Sequence, residues 1–281
     1  MSVHRCAQLL RSGDPDKFLA TIIAPRHLRP ILFTIFAFHY EISKIPYSTK
    51  EELLAEIKFK WWEEELINIK NNNHNRTRNE ILNPLSDLII SKKIPIDLFL
   101  ASIKARRFDL GNQPHLNVRD QLDYIENIFS SLLEVALRSC ANNLSAESVL
   151  CVRKYGLVLG VANLLLALPA LELMGKKPLF LNQHKKEDLS LSKKDQTDKD
   201  EEFSERVRTL VVLANSALQD ARKNLRFVDN KLRPILFCCC SVPIILNKAY
   251  KNPSRVKMNT LKLSPVYKLI NLFRVRIVNR I

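Results

Sequence analysis

The chain has 281 residues, 46% apolar and 26% charged, a composition that supports a full globular core and argues against a disordered chain. Its five glycines, at 13, 111, 156, 160 and 175, are too scattered to build a phosphate-cradling loop or a dinucleotide fingerprint, which argues against nucleotide chemistry of the common kinds. The net charge of +15 is uneven: Lys251, Arg255, Lys257, Lys262, Lys268, Arg274, Arg276 and Arg280 stand in the last 31 residues without one acid.

Helical periodicity dominates and no alternating β-branched run bounded by turn signals is present, so the expected fold class is all-α. Asp14 and Pro15 read as an N-cap with proline in the first turn, opening a helix over 16–23. Pro25 and Pro30 then interrupt the chain before a helix over 31–45. Ser48 with Glu51 has the pattern of a capping box, opening a helix over about 50–69 that contains Trp61 and Trp62. The Asn-rich stretch 71–78 reads as a loop. Asn83-Pro84, Pro95 and Asn117 each start a further helix, ending near Ser91, Phe108 and Cys140. Ser145, with Ser148 three residues on, caps an apolar helix that ends near Gly175. Residues 183–202 are too charged and mixed to bury anything and read as a mobile surface loop. Helices over 204–227, 233–250 and 265–281 complete the chain. No fixed-period repeat or low-complexity linker is present. The expected organisation is one helical domain over 1–250 and a basic amphipathic extension over 251–281.

The six cysteines lack the spacing of a zinc site or a disulfide scaffold, which suits a reducing compartment, and the six histidines are dispersed. Nothing like His-Glu-x-x-His appears, so no metal site is expected from them. The first thirteen residues lack the basic-then-apolar run of a secretory signal, and cytoplasmic residence is expected. Residues 155–174 have the length of a membrane span. Asn163, Pro169 and Glu172 interrupt them, however, and a helix apolar all round suits the centre of a large bundle.

The segments DPDKFLA (14–20), RPILFTIFAFHYEI (29–42), IKFKWW (57–62), Asp109 with Tyr124 downstream, YGLVLGVANLLLALP (155–169), ALQDARKNL (217–225) and SPVYKLINL (264–272) occur in a telling order. Together, over nearly the whole chain, they resemble the squalene/phytoene synthase family. The resemblance implies the all-α isoprenoid synthase fold, a helical bundle around a central apolar cavity where two prenyl diphosphates are joined head to head. In such an enzyme Mg²⁺ neutralises the departing diphosphate, and this hard cation asks for carboxylates one turn apart on two facing helices. Here the residues matching the first acidic motif are Ser43, Lys44 and Tyr47. Asn163 matches the asparagine of the second, but Leu166 and Ala167 stand where an Arg-Asp pair is expected. In this loss of acids, Ala37-Phe38-x-x-Glu41-Ile42 and Leu165–Pro169 resemble a non-catalytic branch of the family, similar to the mitochondrial assembly factor of respiratory complex I.

The first reading is therefore a non-catalytic, membrane-associated binding or respiratory complex assembly factor, without catalytic residues, metal or cofactor. Its cavity-lining candidates are Phe38, His39, Ser43, Arg106, Asp109, Tyr124, Asn163 and Leu166. The alternative is a Mg²⁺-dependent head-to-head prenyltransferase in which Glu41, Asp109 and Glu172 improvise the metal site. A third reading is a module that keeps the cavity for an isoprenoid or lipid ligand. Arg106 and Asp109, three apart on a helix, also suit a structural ion pair, and Trp61 and Trp62 suit packing between helices. In the last helix, Lys268, Arg274, Arg276 and Arg280 alternate with apolar residues, which fits contact with the anionic inner face of a membrane. A solvated helix docked on the bundle is the competing reading. The expected partners are a membrane surface or membrane protein complex; nucleic acid is not expected, since no reading module accompanies the basic stretch.

Overall fold

Capping side chains and prolines set most of the helix starts in the computed structural model, which describes residues 2–49, 51–73, 75–141, 143–181 and 196–278. Asp14 accepts a hydrogen bond from the Lys17 amide at 3.0 Å and Pro15 occupies the first turn, opening α2, Pro15–Ile23. Before it lies a helix that the sequence does not announce, α1, Ser2–Gly13, which buries Cys6 and Leu10. It packs mainly against α3, Arg29–Lys44.

Ser48 does not cap α4, Glu52–Lys70. Its hydroxyl donates to the Ile45 carbonyl and accepts from Lys58, while Thr49 takes the amide of Glu51. Helices α5, Leu82–Lys92, and α6, Ile96–Arg107, follow. The single helix expected over 117–140 is interrupted: α7, Val118–Ile125, passes through a turn of π-helix, Glu126–Ser130, into α8, Ser131–Cys140. Ser145 accepts from the Ser148 amide at 3.1 Å and starts α9, Ala146–Leu173.

Residues 183–195 of the expected loop lie outside the described residues. Residues 196–202 are helical, correcting the loop reading: they open α10, Gln196–Asn224. Asp198, Asp200, Glu201 and Glu202 sit in its first turns, where acids favour the positive end of a helix, and Lys257 pairs with Asp200. The helix expected over 233–250 is also broken. A 3₁₀ stretch, Arg233–Cys239, precedes α11, Val242–Lys251, because Pro243 has no N–H to continue the ladder. Two more helices, α12, Ser254–Lys257, and α13, Pro265–Val278, end the described chain. No β-strand occurs among the described residues.

Helix α9 is the axis of the fold, packing against α8, the π-turn, α10 and α11. It is long and apolar enough to cross a membrane by length and composition. Its buried positions face neighbouring helices, and Asn163, Leu164, Ala167 and Leu171 line a cavity within the bundle. Close approach to the π-turn depends on two glycines. A Cβ at Gly156 would strike the backbone of Phe129 and Ser130, and one at Gly160 the side chains of Ile125 and Phe129. Here Ser130 donates to the Arg153 carbonyl at 2.7 Å. Arg107 forks onto Glu63 and reaches Glu56, tying α6 to α4, and Glu134 holds Arg138 and Arg153. Helix α13 lies on α2 and the 3₁₀ stretch, with Leu272 and Val275 buried and Lys268 within 2.7 Å of both Asp16 oxygens.

Candidate functional site

A cavity of about 330 Å³ opens between α2, α3, α6, α7 and α9. Residues spaced one turn apart form two of its walls: Tyr40, Ser43 and Tyr47 on the α3 side, and Asn163, Ala167 and Leu171 on α9. Lys44, Tyr47 and Ala167 are solvent-exposed and mark the mouth. His39 and Phe129 are buried and meet edge to face at 5.1 Å in the floor. The two segments that match the acidic motifs thus face the same space.

Three cations line this space: Lys17, Lys44 and Arg106. Among the described residues its one lining carboxylate is Asp14, at the start of α2 and paired with Lys17. Burial would raise the Asp14 carboxyl, but Lys17 overcomes this and holds it below the usual carboxylate range. Arg106, with a side chain 12% exposed, donates to Asp109 at 2.9 Å and to the Tyr124 hydroxyl at 3.0 Å. Tyr124 donates in turn to Asp109 at 2.8 Å, closing a triangle. Burial would lower the Arg106 guanidinium, yet Tyr124 and Asp109 raise it instead, so it stays charged. Its Nε is buried without a hydrogen-bond partner. His39 is pushed well below its usual range by burial, and the charges of Lys17 and Arg106 add to this, so the ring is neutral.

Of the residues expected to line the cavity, His39, Ser43, Arg106, Tyr124 and Asn163 do so. Phe38 stands outside it, packed edge to face between Trp62 and Phe99 at centroid distances of 5.2 and 5.3 Å, so this aromatic cluster joins α3, α4 and α6. Leu166 faces a smaller void of about 70 Å³ that shares Asp14, Lys17 and Asn163 as walls. Asp109 sits behind Arg106, where it faces a separate crevice with Phe108 and His115. The sequence reading missed Asp14, Lys17, Tyr40, Leu164 and Leu171. The one-turn spacing of 40, 43 and 47 and of 163, 167 and 171 was the signal for two of them, Tyr40 and Leu171.

The acids of the prenyltransferase alternative do not converge. Glu41 lies 3.6 Å from Lys44, outside the cavity. Burial raises the Glu172 carboxyl, against the opposing pull of Lys257 and Arg206. Among the described residues no three His, Cys, Asp or Glu side chains are grouped to hold a metal ion. A hydroxyl, an amine, a phenol and two aliphatic side chains at the motif positions, with cations around them, do not fit Mg²⁺.

A model of the squalene/phytoene synthase family matches residues 10–266. The chain belongs to this family. It is similar to NADH dehydrogenase (ubiquinone) complex I, assembly factor 6, of Homo sapiens, at 24% identity over 48% of this chain and 40% of the relative. The Drosophila melanogaster homolog of that factor is 25% identical over 58% of this chain and 50% of the relative. The matches thus span half or less of these curated relatives. Among solved structures, a dehydrosqualene synthase superposes with a TM-score of 0.79 over 99% of this chain and 96% of that one, at 15% identity. A squalene synthase from Alicyclobacillus acidocaldarius gives 0.73 over 90% and 94%, at 18% identity. At such identities the likeness shows the fold, and the all-α isoprenoid synthase bundle is that of this chain.

Proposed function

We propose that this family member is a non-catalytic, membrane-associated factor that serves the assembly of a respiratory complex. The observation that carries the reading is the pair of facing motif positions, where Ser43, Lys44 and Tyr47 look across the cavity towards Asn163 and Ala167. Ionising an allylic diphosphate separates charge, and a cation bridge must hold the leaving group while that happens. Clustered oxyanions are needed to hold that bridge, and these positions have none. The assembly direction rests on the relatives' names, and the membrane protein complex as partner is part of the proposal. The chain would work without metal or cofactor as a peripheral protein on the inner face of the membrane, from the cytoplasmic side.

A second reading is favoured by one feature: the cavity has not filled in. Ile125, Phe129, Leu164 and Leu171 give it apolar walls, so it suits an isoprenoid or lipid bound without chemistry. Two experiments test the main reading together. Purified protein incubated with farnesyl or geranylgeranyl diphosphate and Mg²⁺ should release no diphosphate, and cells lacking the chain should lose mature complex I on native gels. Diphosphate release that disappears in Glu41→Ala or Glu172→Ala would establish the prenyltransferase instead.

A further inference from the structure

The inward and outward faces of α13 are both apolar, which is unusual for a helix docked on the outside of a bundle. Inward, Leu272 and Val275 are buried, Lys268 holds Asp16, and Asn271 donates to the Cys240 carbonyl at 2.8 Å. These contacts fix the rotation of the helix. Outward, Val266, Ile270, Phe273 and Ile277 are 68%, 62%, 46% and 81% exposed. Their i, i+4, i+7, i+11 spacing places them in one continuous stripe. Arg274 and Arg276 fall on opposite flanks of that stripe, both exposed, and neither makes an ion pair among the described residues. No acid occurs between residues 251 and 281, so nothing in this stretch offsets them.

We infer that this outer stripe is a docking surface for a lipid bilayer bearing anionic headgroups: the apolar row enters the acyl boundary and the two arginines lie at headgroup level. Charge complementarity selects this occupant. A protein groove would have to supply acids on both sides of an apolar slot, whereas an anionic leaflet supplies them everywhere around an inserted helix. The stripe is also the arrangement expected of an interfacial helix, with cations at its borders and large apolar groups at its centre. The inference deepens the membrane association proposed above by naming the surface responsible for it.

The test uses the full chain and flotation with phosphatidylcholine vesicles, with and without phosphatidylglycerol. The wild-type chain should float only with the anionic vesicles. Arg274→Gln with Arg276→Gln should weaken partition about thirtyfold, roughly fivefold per arginine. Ile270→Asp with Ile277→Asp should abolish binding. Because all four side chains are exposed, thermal melting of both variants should match the wild type, which separates lost binding from lost folding. Wild-type chain that fails to float, or variants that float equally well, would overturn the inference. So would a dimer on sizing columns that Ile270→Asp with Ile277→Asp disperses, since a second copy would then cover the stripe. Failed flotation with complex I assembly intact counts against this surface alone, and diphosphate release counts against the non-catalytic reading alone.

Discussion

The two halves of α9 behave differently. Around Gly156 and Gly160 the helix is pressed against the π-turn so closely that a single added carbon meets backbone or ring atoms. One turn further on, Asn163, Ala167 and Leu171 border open space, and the motif positions there carry no carboxylate to clamp a metal. The crossing determines whether the chain folds as an isoprenoid synthase bundle; the cavity stretch would determine whether the bundle reacts. A chain can therefore keep the first and replace the second at modest cost in stability, because Ser43, Lys44, Tyr47 and Ala167 border open space rather than close-packed backbone.

That contrast can be broken most directly at the crossing. Gly156→Val should destabilise the protein by about 3 kcal/mol or more, since backbone rather than a flexible side chain must move. Thermal denaturation should read this as a fall of about 10 °C. Gly160→Ala, meeting only the side chains of Ile125 and Phe129, should cost about 1–2 kcal/mol. Behind the cavity wall stands one position of comparable weight, and it is structural. Asp109→Ala leaves Arg106 enclosed without its counter-ion and should cost about 3 kcal/mol, measured by urea unfolding. Arg106→Leu with Asp109→Leu should recover most of that loss.

A pH titration sharpens the comparison at the cavity floor. His39 is buried neutral, with its folded pKa well below the unfolded value, so between those two values the unfolded chain binds the extra proton. Stability should therefore be fully present above about pH 6.5 and fall by up to about 1.4 kcal/mol per unit as the pH drops below it. His115 is shifted the same way by burial and adds to the same window. In His39→Phe the fall between pH 6.5 and pH 5 should be visibly shallower in chemical denaturation, leaving the share of His115.

Much of the fold is legible in the sequence because its helix starts are written in local chemistry. Asp14, Asn117 and Ser145 each cap the helix expected of them. What escapes is decided by tertiary contact. Helix α1 has no capping signal and is held by burial against α3. The first turns of α10 hide among charges, and contacts made in the folded chain, among them the buried Phe203 and the Lys257–Asp200 pair, mark them as ordered. In the site, the facing motif positions follow from the resemblance to the family. Lys17 does not, since nothing in the spacing says which face of α2 turns towards the motif helices. Glu41 suggests itself as a ligand by being the nearest acid, but two residues along a helix from Ser43 it faces the other way. Phe38, adjacent to His39, turns into the aromatic cluster for the same reason.

The smallest expected effect is the most discriminating. Ala167 is exposed at the cavity mouth, so Ala167→Leu enters space already vacant and should change stability by less than about 0.5 kcal/mol. In a packed interior the same three added carbons would cost about 1–3 kcal/mol. A melting temperature within error of the wild type therefore identifies the second half of α9 as a wall around usable volume. A clear loss would mean that the cavity closes in solution, and with it the ligand-binding reading would fail while the assembly reading stood. The leucine should also crowd the mouth, so if an isoprenoid or lipid copurifies with the wild-type chain, mass spectrometry of the variant should recover less of it at unchanged stability. Only a retained cavity in functional use predicts that pairing of unaltered folding with lost ligand.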